Sequence, residues 1–360
     1  MSGALERADL LYDLGRHDEA AALASQHLAQ HPGDAKALVL LARCRRSLRD
    51  LPGALATIEE ALRAEPDSVY AWMVRADTLS RLGRLHEAVA SARRCVELAP
   101  LFWGSHHTLA LVLERSTNRV LHKDAYASAR RAVELEPQEA SAHFMVGLTA
   151  HRVGDHTTAR AAYETTLRLD PQSSEAHNNL ALLDRKRGRF SSRAWRRAVE
   201  GFAESAALDA DDRHARFNLE TMAWSVAASA RWSTLGGSVI ALVTTVVPDA
   251  PAAVPWAGAA LVAVLWGGWV LWQRHRIPPR LRRPMLMIVR GCRPVRAMAL
   301  AAGLLGLYAV ALFVMAAFGV RAADRVVLGG VGAALFWFMI VTYWAGRVAM
   351  RQRAPGRTSG

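Results

Sequence analysis

Two patterns of apolar and polar positions divide this chain of 360 residues. Up to about residue 215, apolar side chains come in short groups between charges, with punctuation at a regular interval. The prolines Pro32, Pro66, Pro100, Pro137 and Pro171 are 34, 34, 37 and 34 residues apart. Twelve residues before each stands an alanine: Ala20, Ala54, Ala88, Ala125 and Ala159. Gly15, Gly83 and Gly154 lie seventeen before three of them. This period predicts helical hairpins with small residues where helices touch, glycine at the turn, and proline ending the second helix. From residue 233 the pattern changes to apolar runs at 233–247, 255–272, 297–320 and 326–346, and the last two hold 24 and 21 residues without a charge. A helix of roughly 20 apolar residues crosses a bilayer. Four spans are therefore expected, at 233–250, 253–272, 297–320 and 326–346. The first run has only 15 residues and must extend through Pro248 and Asp249 to cross. The alternative is a shallow hairpin of the first two runs. Between the two patterns, residues 213–232 are amphipathic through Phe217, Met222 and Trp224, as a capping helix or a stem entering the membrane.

The repeating part resembles the tetratricopeptide repeat, a helix–turn–helix unit of 34 residues. Trp72, Ala76, Gly83, Ala88 and Pro100 stand where that family has its tryptophan, first small residue, turn glycine, second alanine and closing proline. Gly147, Gly154, Ala159 and Pro171 match in the fifth unit, and Leu180, Ala181 and Gly188 in the sixth. The fourth unit carries three extra residues near 117–121, and the sixth about five around 190–197. The resemblance implies an all-α solenoid of about six hairpins over 1–212; the apolar and charge patterns add the helix at 213–232, a four-helix transmembrane region at 233–346 and a basic tail at 347–360. A single hairpin leaves an apolar face open, so several must stack.

Charge follows the same division. Residues 1–230 hold 30 basic and 30 acidic side chains, whereas 231–360 hold 15 basic against Asp249 and Asp324, so the whole net charge of +13 sits in the last third. That distribution argues against nucleic-acid binding, since the repeats carry no excess cations to displace counterions from phosphates. Eight arginines lie in 273–296, four more lie in the tail, and none lies in 248–254. The positive-inside rule then places both termini and the long loop in the cytoplasm, in a multi-pass inner (plasma) membrane protein. The opening residues lack the apolar stretch of a signal peptide, which agrees with a cytoplasmic repeat domain. The arginine loop is a topology determinant or a contact for anionic lipid.

Candidate chemistry is sparse. Cys44, Cys95 and Cys292 form no C-x-x-C pair, so neither a disulfide framework nor a zinc site is expected. Twelve histidines precede residue 215 without an H-E-x-x-H, and His106 and His107 are adjacent, pointing to different sides of a helix. Phosphate-binding and nucleophile-elbow glycine motifs are absent. We therefore expect no catalytic residue, metal or cofactor, and a protein that is not an enzyme.

The resemblance implies binding of a protein or peptide on the inner faces of the first helices. In the family's frame, the thirteenth positions of units three to six are Arg81, Arg115, Arg152 and Lys186, a row of cations along one edge of the groove. Arg43, Arg46, Tyr70, Asp77, Phe144, Asn178, Asn179 and Arg185 are further inner-face candidates. Asn179 stands where many peptide-binding repeats carry an asparagine that bonds the ligand backbone, while the family's carboxylate clamp is not matched residue for residue. The row would hold an acidic segment or carboxylate through paired hydrogen bonds. Equally, each cation lies near a helix C-terminus, where the helix dipole stabilises it by ~0.3–1 kcal/mol. The implied function is a membrane-anchored adaptor. A repeat-regulated transporter or channel component, and an envelope enzyme, are the alternatives.

Overall fold

The computed structural model describes residues 3–187, 191–209, 212–246, 251, 253–317 and 322–354. Among the described residues all regular structure is helical. The chain divides into two compact units, Met1–Pro171 and Gln172–Gly360. The boundary expected at 212–213 follows repeat periodicity, whereas this division follows contacts and groups the sixth hairpin with the apolar helices.

The first unit holds five hairpins: α1 (Gly3–Asp13) with α2 (His17–Gln30), α3 (Ala35–Ser47) with α4 (Leu51–Ala64), α5 (Val69–Arg81) with α6 (Leu85–Leu98), α7 (Trp103–Glu114) with α8 (Arg119–Leu135), and α9 (Ala140–Val153) with α10 (His156–Leu169). Each first helix also packs on the next one, α1 on α3, α3 on α5, α5 on α7 and α7 on α9. The five alanines of the proline frame are fully buried. They let paired helices approach closely. At Gly147 a Cβ would stand 2.5 Å from the Tyr163 ring, so only glycine fits there. Gly15, Gly83 and Gly154 have φ of 76°, 79° and 89°. Arg49 occupies the same turn position between Gly15 and Gly83 and adopts φ 68°, a conformation costly for a residue with a Cβ. Gly188 lies outside the described residues. The expected extra residues of the fourth unit lengthen α8 to 17 residues, begun by an Asn118 cap whose Oδ1 accepts from the Val120 N–H.

The frame also explains the histidines. Trp72 Nε1 donates to the Pro66 carbonyl at 2.8 Å. His106 and His143, at the same repeat position, place Nε2 2.9 Å from the carbonyls of Pro100 and Pro137. Each ring thus satisfies a carbonyl just past the preceding helix. Burial pushes the Cys44 and Cys95 thiols up to about 11 and about 12, so both stay protonated and pack as small apolar groups.

The second unit holds α11 (Ser174–Arg187), α12 (Ser192–Leu208), α13 (Arg213–Val246), α14 (Ala253–Arg276), a 3-10 turn (Pro279–Leu281), α15 (Arg282–Gly291), α16 (Arg293–Ala317) and α17 (Ala322–Gln352). Among the described residues four stretches are long and apolar enough to cross a membrane: Arg213–Thr244, Ala253–Arg276, Arg293–Ala316 and Gly330–Gln352. The amphipathic segment and the first apolar run form one unbroken 34-residue helix, α13. Phe202 of α12 and Met222 of α13 share a buried cluster with Met298 of α16 and Met339 of α17. The segment 273–296, read from sequence as a loop, contains α15. Pro248, Asp249 and Ala252, and the tail beyond 354, lie outside the described residues.

Candidate functional site

A groove of about 780 Å³ lies on the first helices of the first unit, α1, α3, α5 and α7. Its lining follows the 34-residue frame. One row is Leu5, Val39, Met73 and His107, and a second is Asp9, Arg43, Asp77 and Leu111. Leu40, Val74 and Thr108 form a third row. Residues 34 apart share one place on successive units, so each row runs along the groove across the helices. Apolar and charged rows alternate, suiting an extended or helical segment with one greasy and one polar edge.

The charged row is built around Asp77, whose side chain is only 10% exposed. Arg46 Nη1 lies 3.0 Å from Asp77 Oδ2, Arg81 Nε donates to it at 2.9 Å, and Arg115 Nη1 donates to Oδ1 at 3.0 Å. These arginines come from α3, from the end of α5 and from the residue that caps α7. Burial would raise the Asp77 carboxyl, but Arg46 first, then Arg81 and Arg115, override it and hold the group below the usual carboxylate value. Arg152 Nε donates to Glu114 Oε1 at 2.5 Å, and Glu114 is buried. Arg43 stands 3.5 Å from Asp9 and 4.1 Å over the Tyr12 ring. Three of the four cations expected as an open row are thus paired: Arg115 and Arg152 each reach a carboxylate of the preceding first helix, and Arg81 holds Asp77 within α5 itself. The reason is a carboxylate at the end or middle of an adjacent first helix, within reach of a long guanidinium.

Of the other candidates, Arg43, Arg46, Tyr70 and Asp77 line the groove. Tyr70 is 63% exposed, its ring 5.8 Å from that of Phe102. Phe144 instead sits 5.8 Å from Tyr163, within its own hairpin. Asn178, Asn179, Arg185 and Lys186 belong to α11 in the second unit. Asn178 Oδ1 accepts from Asn218 Nδ2 at 2.9 Å, and Asn218 Oδ1 accepts from Arg185 Nη1 at 3.0 Å, linking α11 to α13. Asn179 Nδ2 donates to the Glu175 carbonyl of its own helix at 3.0 Å.

Sequence reasoning missed His107, Met73 and the three rows as rows. The signal was available: Leu5, Val39, Met73 and His107 are spaced by 34 throughout. Burial holds the His107 imidazole below its usual value, against weaker opposing pulls from Glu139 and Asp77. A neutral ring in the groove can donate one hydrogen bond and accept another.

Tetratricopeptide repeat family models match residues 11–78, 69–100, 122–174 and 147–192. Among solved structures, the APC/C hetero-tetramer Cut9–Hcn1 is similar over 60% of this chain and 41% of its own, at 14% identity and a TM-score of 0.53. MamA is similar over 47% of this chain and 95% of its own, at 22% identity and a TM-score of 0.37. YrrB, described as a TPR protein with an unusual peptide-binding site, is similar over 52% of this chain and 93% of its own, at 18% identity and a TM-score of 0.36. No curated protein matches the chain. Residues 11–100 and 122–192 therefore carry tetratricopeptide repeats.

Proposed function

We propose that this chain is a membrane-anchored adaptor that holds an acidic segment of a partner protein along the first-helix groove. The carrying observation is the convergence of Arg46, Arg81 and Arg115 on the single carboxylate of Asp77. Each guanidinium has five N–H donors, and one carboxylate accepts only part of them. The lining itself holds Lys36, Arg43 and Arg46 against Asp9, Glu65 and Asp77, and Arg81 and Arg115 beside it bring further donors onto Asp77. The donors that Asp77 leaves unused favour a carboxylate-bearing ligand over a basic one.

In this reading the repeat domain covers 1–212, the helix at 213–232 joins it to a membrane domain at 233–346, and the tail at 347–360 is basic. The repeats and the tail lie in the cytoplasm at the plasma (inner) membrane, by the arginine distribution. The segment 273–296 meets anionic lipid, and nucleic acid is not a partner. The role is assembly rather than catalysis. A transporter reading gains no support from Ser229 and Ser238, because both hydroxyls are bonded within the apolar helices. Trp269 Nε1 and Gln273 Nε2 both donate to Ser229 Oγ, and Ser238 Oγ donates to the Leu305 carbonyl.

The test uses the full chain in lipid nanodiscs and two fluorescent decapeptides of equal apolar content, one Glu-rich and one Lys-rich. Anisotropy should report binding of the Glu-rich peptide alone, weakened at least about tenfold by Lys36→Glu with Arg43→Glu, a loss of roughly 1.4 kcal/mol. Equal affinity for both peptides, or no response to the substitutions, would overturn the assignment of an acidic ligand.

A further inference from the structure

The segment between α14 and α16 begins and ends beside apolar helices. α14 ends at Arg276, four residues past Trp272, and the uncharged run of α16 begins at Ala297, five residues after Cys292. At 1.5 Å per residue that last interval is about 7.5 Å, the depth of a headgroup layer. α15 is thus tethered at both ends to the same side of the apolar bundle.

Its ten residues have two apolar faces. Met285, Ile288 and Val289, spaced for one helical stripe, pack into the buried cluster with Cys292, Val295 and Met298. Leu286 and Met287 point away from it and are 51% and 65% exposed. Arg282, Arg283 and Arg290 are exposed on the same helix, with Arg293 following. No acidic residue occurs anywhere in 273–296. Among the described residues no carboxylate pairs with Arg283, Arg290 or Arg293, whereas Arg280 reaches Glu200 at 3.6 Å. A helix whose inner face is already packed, and whose outer face combines bare apolar groups with unpaired cations, matches a boundary between hydrocarbon and phosphate.

We propose that α15 lies in the plane of the membrane interface as a binding site for anionic phospholipid. Leu286 and Met287 enter the upper acyl chains, and Arg283 and Arg290 hydrogen-bond headgroup phosphates. The proposal rests on the membrane reading above and adds to its anionic-lipid contact the helix that makes it, its depth and the residues that select the lipid. It also gives the arginines a role besides orientation. Topology requires only their number on one side, whereas lipid selection requires their placement around Leu286 and Met287.

The experiment uses the full chain with Cys44, Cys95 and Cys292 replaced, reconstituted in bilayers of phosphatidylcholine with or without phosphatidylglycerol. An environment-sensitive fluorophore is placed singly through Met287→Cys, Leu307→Cys in α16, or Leu101→Cys in the repeats. Leu307 and Leu101 are 66% and 76% exposed, so neither substitution opens a core. The Met287 probe should be quenched by lipid brominated near the headgroup and shielded from aqueous iodide. Its quenching by brominated phosphatidylglycerol should exceed that by brominated phosphatidylcholine several-fold, and Arg283→Gln with Arg290→Gln should equalise the two. Iodide access at Met287 equal to that at Leu101, with Leu307 quenched by bromolipid, would overturn the interfacial helix and leave the membrane reading standing. Iodide access at Leu307 would overturn the membrane reading and this proposal together. Equal quenching by the two lipids in the unsubstituted arginine background would overturn the anionic selectivity.

Discussion

The arginines of the repeats and those of the apolar unit are chemically the same, yet their surroundings differ. In the first unit Arg46, Arg81 and Arg115 share Asp77, Arg152 holds Glu114, and Arg43 faces Asp9. In the second, eight arginines crowd 273–296 without one acid between them, and several cations meet aromatic faces instead. Arg276 stands 4.5 Å over Trp195 and 4.3 Å over Trp272, and Arg231 4.4 Å over Tyr343. The difference shows what a cation is for in each place. Where acids recur within reach, arginine ties one repeat to another and shapes the groove. Where they are absent, Arg283 and Arg290 stay without a carboxylate among the described residues, and these are the groups proposed above to meet lipid phosphates. Glycine repeats the lesson: Gly147 is obligatory under Tyr163, whereas a Cβ at Gly303 meets nothing within 4 Å.

The largest effect should come from breaking the close approach in the repeats. Gly147→Leu drives a side chain into Tyr163 and should cost about 3 kcal/mol, the upper end for overpacking. It is read as a lower urea midpoint for the fragment ending at Pro171. Gly303→Leu in the full chain should leave thermal stability nearly unchanged, because that helix face is open. Comparable losses at both sites would erase the contrast.

Next comes the ion-pair ladder. Asp77→Asn keeps the shape but leaves three guanidiniums without their anion. We expect a loss of about 2 kcal/mol, below the 3–5 of a fully buried pair, because the arginines are partly exposed to water. Arg283→Gln with Arg290→Gln should change stability by less than about 0.5 kcal/mol, as surface substitutions do. A large loss there would mean that these arginines brace the fold.

A gain of roughly 0.5–1 kcal/mol is expected from Arg49→Gly, which relieves the left-handed backbone at the turn that Gly15 and Gly83 already occupy without strain. An unchanged or lowered unfolding midpoint would show that the Arg49 side chain contributes more than its backbone costs.

The smallest effect is a pH slope from His107. Its folded value lies below the ordinary imidazole value near 6.5, so below that pH the unfolded chain binds a proton that the folded chain refuses. Stability of the first unit should therefore fall as pH drops through that region, and His107→Gln should flatten the curve. A slope that survives the substitution would place the responsible group elsewhere.

The period of 34 and the apolar runs were legible because they are local. Small residues, turn glycines and stopping prolines act within one hairpin, and a long uncharged stretch marks a spanning helix through its own composition. Four groove residues, Arg43, Arg46, Tyr70 and Asp77, were legible from the same frame. What a long side chain does with its charged end was not. Arg115 bonds a carboxylate 38 residues away, and Phe144 turns to Tyr163, because rotamers answer to the neighbours that packing supplies. The formation of α15 inside an arginine-rich segment is of the same kind, whereas the stem alternative for 213–232 already allowed the unbroken α13. By itself the sequence determined an all-α chain of hairpins followed by apolar helices, and where its net charge lies. Only the tertiary structure decided which charges are consumed in pairs and which apolar groups stay bare, since both depend on groups distant in the chain meeting within a few ångströms.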